Sequence, residues 1–365
     1  MNIAMQKKII FGLSLLSLGI FIFSRFIPSV TGSVRDRDML KASAIMAQAI
    51  QAVRDCAGRG GRAAFNKDDL NQTGLIGLEA SSLTTSLGNL EAKRTSTNPN
   101  FAGLVVHLMK KAGVRRGDTI AVGASSSFPA LIVATLSAAK ALELRPLVIS
   151  SLGASQWGAN DPEFTWLEIS ECLQRAGIFD AMPLATTMGG ENDTGGNMTE
   201  GERAFLAEKI KKSGRALLEQ PDLAMNVRTR MKIYEDGAGA ARIMAFINIG
   251  GSWANLGTDS VVLKLKPGLN DQIEIPMPLR RGVIHEMALR KIPVIHLLYI
   301  KGLAEQLGLP WDPLPLPKPG DGRLYERRRN PSTLFLGLAG LYFLLVIAGL
   351  SVFKLSEGGA SSSTF

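Results

Sequence analysis

Apolar residues in this chain follow two regimes. Near either end they run almost unbroken: "IIFGLSLLSLGIFIFSRFI" over 9–27, with Arg25 its only charge, and "TLFLGLAGLYFLLVIAGLSVF" over 333–353, with none. Each has the roughly 20 residues that a helix needs to cross a hydrocarbon core. The pattern predicts a transmembrane helix at 9–27 and a second at 333–353, with short tails at 1–8 and 354–365. A cleaved signal peptide is the competing reading of the first run. Its length and the weakness of "SVTGS" as a cleavage site argue for a retained anchor.

Between these runs the apolar positions recur at helical spacing or in short blocks. Asp38 to Cys56 predicts an amphipathic helix on Ile45, Ala49, Ala52, Val53 and Cys56, and Phe101 to Ala112 predicts another ending at Gly113. "CAGRGGR" and "NKDDLNQTG" read as loops. Then strands and helices alternate: "DTIAV", a helix "FPALIVATLSAAKAL" with Pro129 in its first turn, and "RPLVISS". A helix "DPEFTWLEISECLQRAG" capped by Asp161 comes next. Thr199 and Glu202 then make a capping box before "RAFLAEKIKKSG". "ARIMAFINIGG" predicts a strand, "GVIHEMALRK" a short helix, and "IPVIHLL" a strand.

Near-continuous apolar strands alternating with helices predict an α/β fold: a mostly parallel, Rossmann-like sheet flanked by helices, set between the two transmembrane helices. The α/β domain spans 38–305, and a proline-rich and arginine-rich linker covers 306–332. No dinucleotide glycine fingerprint and no phosphate-loop motif follows any strand, so no cofactor is expected. "TTMGGENDTGGNM" reads as a surface loop or as a lid.

Composition sharpens parts of this picture. The net charge is +9 over 365 residues, and several arginines flank the hydrophobic runs on the domain side. That asymmetry favours a cytoplasmic domain, whereas Lys7 and Lys8 ahead of the first run favour the opposite orientation. The expected location is the cell's inner membrane, crossed twice, with the domain's side undecided and weakly extracytoplasmic. Membrane lipid is one expected partner of the basic segments, and nucleic acid is not. Cys56 and Cys172 give no metal spacing, and their pairing stays open. Three histidines leave little material for a metal site, and none is expected.

Three expected strands end in similar turns: Gly123-Ala124-Ser125, Gly153-Ala154-Ser155 and Gly250-Gly251-Ser252. Small residues let a ligand approach the backbone, and hydroxyls and free N–H groups suit a carboxylate, phosphate or sugar hydroxyl. Each turn alone is explained by helix capping. Together, Ser125, Ser126, Ser127, Ser155, Gly250, Gly251 and Ser252 form a candidate binding set, with Trp157 and Trp253 as walls. "KRTSTNPN" adds Lys93, Arg94, Thr95 and Ser96 as a second anion-holding group. A nucleophilic role for Ser125 lacks the second glycine of a G-x-S-x-G turn and lacks a nearby base, His285 and His296 being the only late histidines.

The segments "LEAKRTSTNPNFAGLVVHLMKKAGVRRGDTIAVGASSSFPAL", "LVISSLGASQWGANDPEFTWLE" and "AFINIGGSWANLG" resemble the poly-gamma-glutamate system protein family, which accompanies bacterial poly-γ-glutamate synthesis and export. The resemblance implies a membrane-bound accessory that works with the polymer, its synthase or the export components. It implies no catalytic residue set. A hydrolase or transferase acting on the polymer, and a phosphosugar-type anion-binding domain, are the alternatives. Self-association stays open.

Overall fold

The computed structural model describes residues 3–26, 36–59, 66–180, 183–325 and 333–358. Arg35, Arg327, Arg328 and Arg329, the end of the "CAGRGGR" loop and the ends of both tails lie outside them. The chain divides into two units, Met1–Val34 with Arg327–Phe365, and Arg35–Glu326. Helix α1 (Ile3–Phe26) belongs to the first.

The larger unit opens with α2 (Arg37–Arg59), which buries Met39, Ala42, Met46, Ala49 and Val53 at helical spacing. Asn89 caps α3 (Leu90–Ser96) by accepting from the Ala92 N–H, and α4 (Asn100–Lys111) follows. β1 (Thr119–Ala124) leads into α5 (Pro129–Ala141), whose first turn tolerates proline because its N–H has no helical partner there. After β2 (Arg145–Ser151), the short strands β3 (Asn160–Asp161) and β4 (Phe164–Thr165) pair antiparallel and precede α6 (Trp166–Arg175). This helix therefore starts later than Asp161. Thr165 and Glu168 form a reciprocal capping box that satisfies backbone N–H groups at its start, and Asp161 is spent in the hairpin.

β5 (Ala185–Thr187) and α7 (Glu200–Lys212), with its Thr199–Glu202 capping box, come next. Then follow α8 (Leu223–Ala238), β6 (Ile243–Ile249), α9 (Trp253–Leu256), β7 (Gly268–Asn270), α10 (Val283–Leu289), β8 (Val294–Leu297) and α11 (Ile300–Leu307). The six-stranded sheet runs β5-β2-β1-β6-β8-β7, and β7 is its one antiparallel member.

Strand residues alternate between two apolar layers. Val122, Val148 and Ile247 join a core built with α2, α4 and α5, while Ala121, Leu147 and Phe246 join one built with α8 and α10. Burial on both faces is why these strands read as unbroken apolar runs. A disulfide joins Cys56 of α2 to Cys172 of α6, with their Cα atoms 6.0 Å apart. Over 309–325 the proline-rich run lies against α3 and α4. Asn100 accepts from the Gly320 N–H and the Tyr325 hydroxyl, and donates to the Lys318 carbonyl.

In the terminal unit, α1 packs against α12 (Thr333–Gly358), with Ser17 Oγ 2.8 Å from Tyr342 Oη and Leu13 against the bare backbone at Gly349. The expected pair of transmembrane helices is corrected here. Among the described residues no helix is long and apolar enough to cross a membrane. The fold is an α/β fold with a parallel-rich sheet, without the two spanning helices, and the two-pass inner-membrane location is withdrawn with them.

A candidate ligand crevice at the carboxyl edge of the sheet

Register sets where the turns fall. Ala124 of β1 aligns with Ser150 of β2 and with Ile249 of β6, Ser151 aligns with Thr187 of β5, and Ile249 aligns with Leu297 of β8. Five parallel strands thus end level, and their turns share one edge. From β1 the chain builds outward through β2 and β5 on one side and through β6 and β8 on the other. The strand order reverses between β1 and β6, the place where open α/β sheets hold ligands.

A crevice of about 720 Å³ opens at that place. Ser125 and Ser127 after β1, Gly153 and Ser155 after β2, and Gly251 and Ser252 after β6 all line it. The three glycine-serine turns therefore converge. Gly250 holds the β6 turn at φ +76°, where a Cβ would come within 2.9 Å of Ser125 Cβ, so glycine alone lets the two turns meet. Lys93 from α3 enters from one side, and Glu191, Asp193 and Asn197 enter from the loop after β5.

Lys93 is the unusual member. Its side chain is 2% exposed, and its Nζ donates to the Ser127 carbonyl and lies 2.7 Å from Ser155 Oγ. The ammonium sits 4.0 Å from the centroid of the Phe128 ring. Among the described residues it forms no salt bridge. Burial pushes its pKa from the ordinary 10.5 down to about 7, because charge in a poorly solvated place is costly. Around it the hydroxyls form a chain. Ser125 Oγ donates to Ser127 Oγ at 3.0 Å, and Ser127 Oγ also accepts from the Ser155 N–H at 2.9 Å. Ser252 Oγ, at the crevice wall, is buried with no hydrogen-bond partner.

On the opposite wall Asp193 is paired. Asp193 and Arg230 of α8 form an ion pair with 1% and 2% side-chain exposure. Arg230 also donates to Asn226 and Thr187, and Thr187 Oγ1 donates to Asp193. This pair ties the 188–197 loop to α8, and Asn197 ties it to the Thr85 carbonyl at 2.6 Å. The loop is a built wall of the crevice.

Other expected members stand elsewhere. Arg94 does not line the crevice and makes a two-pronged ion pair with Asp312, which raises its pKa. Thr95 Oγ1 accepts from the Asp312 N–H, Ser96 Oγ donates to the Lys93 carbonyl, and Ser126 Oγ donates to the Ser151 carbonyl beneath the turn. Trp157 donates its ring N–H to Asp68, and Trp253 is the tryptophan that lines the crevice. Neither late histidine lines it. His296 is buried against Asn248 with its pKa pushed to about 4 by burial, and His285 accepts from the Gly282 N–H. Thr85, Ser86, Asn89, Ser151 and the loop acids were not expected at the site. Among the described residues no group of three or more histidine, cysteine or acidic side chains could hold a metal ion.

Comparison with family models, with curated proteins and with solved structures finds no match to this chain. The resemblance to the poly-gamma-glutamate system family rests on the three quoted segments alone.

Proposed function

We propose that this chain serves a poly-γ-glutamate synthesis or export system and that its α/β domain binds the anionic polymer, a precursor or its growing end in the crevice. One observation carries the reading. Three hydroxyl-bearing turns meet a buried lysine that among the described residues has no carboxylate partner, at the strand-order reversal of the sheet. A buried cation without a counter-ion is costly, and an incoming carboxylate supplies the missing charge. Serine hydroxyls and amide groups along the walls suit the carboxylates and amides that repeat along such a polymer. Glu191 limits how many anionic groups the crevice accepts, because it adds negative charge to one wall.

The test is polymer binding by titration calorimetry. Lys93→Ala is expected to weaken binding about 10- to 100-fold, the worth of a charge-assisted hydrogen bond. Arg94→Ala, whose charge is committed to Asp312, is expected to leave affinity unchanged. Binding at pH 8 should take up protons, because a bound carboxylate raises the pKa of Lys93 from about 7. An affinity indifferent to Lys93→Ala and to added salt overturns the reading.

A further inference from the structure

We propose that Ser155 is a nucleophile and Lys93 its general base, so that the crevice cleaves or transfers an amide-linked acyl group. For its substrate, though not for its chemistry, this rests on the polymer-binding reading above. The geometry is that of a serine–lysine dyad. Lys93 Nζ lies 2.7 Å from Ser155 Oγ, within the reach that proton abstraction needs. Lys93 also donates to the Ser127 carbonyl, which orients the amine and leaves its lone pair for Ser155. The Ser155 N–H donates to Ser127 Oγ, so Ser127 is a positioning residue for the nucleophile.

The usual obstacle to lysine as a base is its charge at neutral pH. Burial at 2% exposure, against an aromatic ring and without an ion pair among the described residues, favours the neutral amine. The carboxylates of the same crevice, Glu191 and Asp193, do not pair with it, and Asp193 is held by Arg230. The geometry thus supplies the base that no histidine provides.

The step balances with water as the only co-reactant. Ser155 Oγ attacks the γ-carbonyl carbon of a polymer amide while its proton passes to Lys93 Nζ, and the carbonyl electron pair moves to oxygen. The hydroxyls of Ser127 and Ser252 line the crevice as donors for that oxygen. Collapse re-forms the carbonyl and breaks the C–N bond. The leaving α-amine takes the proton from Lys93, and an ester remains on Ser155. Water then attacks the ester carbon and gives its proton to Lys93. Ser155 Oγ leaves with that proton, and the new acid ionises. An amine attacking in place of water gives transfer instead of hydrolysis.

The full chain is incubated with poly-γ-glutamate between pH 6 and 9, and new α-amino groups and polymer length are measured. A fluorophosphonate probe reads the nucleophile without any substrate, by mass spectrometry of the labelled peptide. The expected result is amine release whose kcat/KM, which reports the free protein, rises with pH with a midpoint near the pKa of Lys93, about 7, and label on Ser155. Lys93→Met should lower kcat at saturating polymer about 10²- to 10⁴-fold, the usual contribution of a general base. Ser155→Ala should abolish labelling while keeping the wild-type melting temperature. If that variant does not fold, S155C supplies the readout: its introduced thiol should alkylate faster in the Lys93 background than in Lys93→Met. Wild-type protein that binds polymer but releases no amine and takes no label overturns the dyad and leaves the binding reading standing. Label on Ser155 without polymer binding overturns the polymer as substrate and keeps the dyad.

Discussion

Lys93, which lines the crevice, and Arg230, which holds the crevice residue Asp193, are withdrawn from water to the same degree, each 2% exposed. Arg230 has Asp193, Asn226 and Thr187 arranged around its guanidinium. Lys93 has a carbonyl, a serine hydroxyl and an aromatic face, and among the described residues no carboxylate. The paired cation is architecture: it fixes the 188–197 loop on α8. The unpaired one costs stability, and a fold carries such a cost where the group has work to do. A buried charge is thus informative through its partners, not through its burial.

The largest effect is expected from breaking the paired site. Asp193→Asn removes the counter-ion and leaves the Arg230 guanidinium buried, which costs about 3–5 kcal/mol for a fully buried pair. Denaturant unfolding of the variant measures it. A loss below about 1 kcal/mol would mean that Thr187 and Asn226 satisfy Arg230 unaided, and the contrast with Lys93 would vanish.

Lys93 should respond in the opposite sense. Its folded pKa, about 7, lies below the ordinary 10.5, so below pH 7 both states hold the proton and the burial penalty is complete. Between pH 7 and 10.5 the unfolded chain binds more protons, and stability rises with pH. Lys93→Met removes the penalty. It is expected to stabilise the protein by roughly 2–4 kcal/mol at pH 7, with the gain shrinking toward zero near pH 10.5. Melting curves across that range, wild type against variant, decide it. A destabilised variant with a flat difference would make Lys93 a structural lysine.

The sequence carried the scaffold better than the site. β1, β2, β6 and β8 lie where "DTIAV", "RPLVISS", "ARIMAFINIGG" and "IPVIHLL" place strands, because burial on both faces writes an unbroken apolar run. α8 went unread, and its composition says why. Its buried stripe of Leu223, Asn226, Val227, Arg230, Met231 and Tyr234 includes an amide and a guanidinium, so its period is hidden. β5 has three residues, two of them threonine, too short for any alternation to show. Within the site, the repeated Gly-Ser turns were visible as a motif, while their convergence depended on strand register. The base was in view as a cation in "KRTSTNPN". Its burial, its missing acid and its contact with Ser155 all come from packing between segments 34 and 62 residues apart in the chain.

Arg94 brings the comparison down to adjacent residues. One position after Lys93 on the seven-residue helix α3, it grips Asp312 instead of entering the crevice lining. With Thr95 accepting from the Asp312 N–H, it fastens the proline-rich segment to the helix that carries Lys93. The pair is partly exposed, at 14% and 22%, so solvent screens part of its energy. Arg94→Ala is accordingly expected to cost only about 1 kcal/mol, within the range of charge-assisted hydrogen bonds at such sites. Hydrogen exchange should quicken over 309–325 and leave the amides of β1 and β6 unchanged. Should Arg94→Ala instead abolish polymer binding with stability intact, both cations of "KRTSTNPN" serve the ligand. The division of labour between these neighbours would then be wrong.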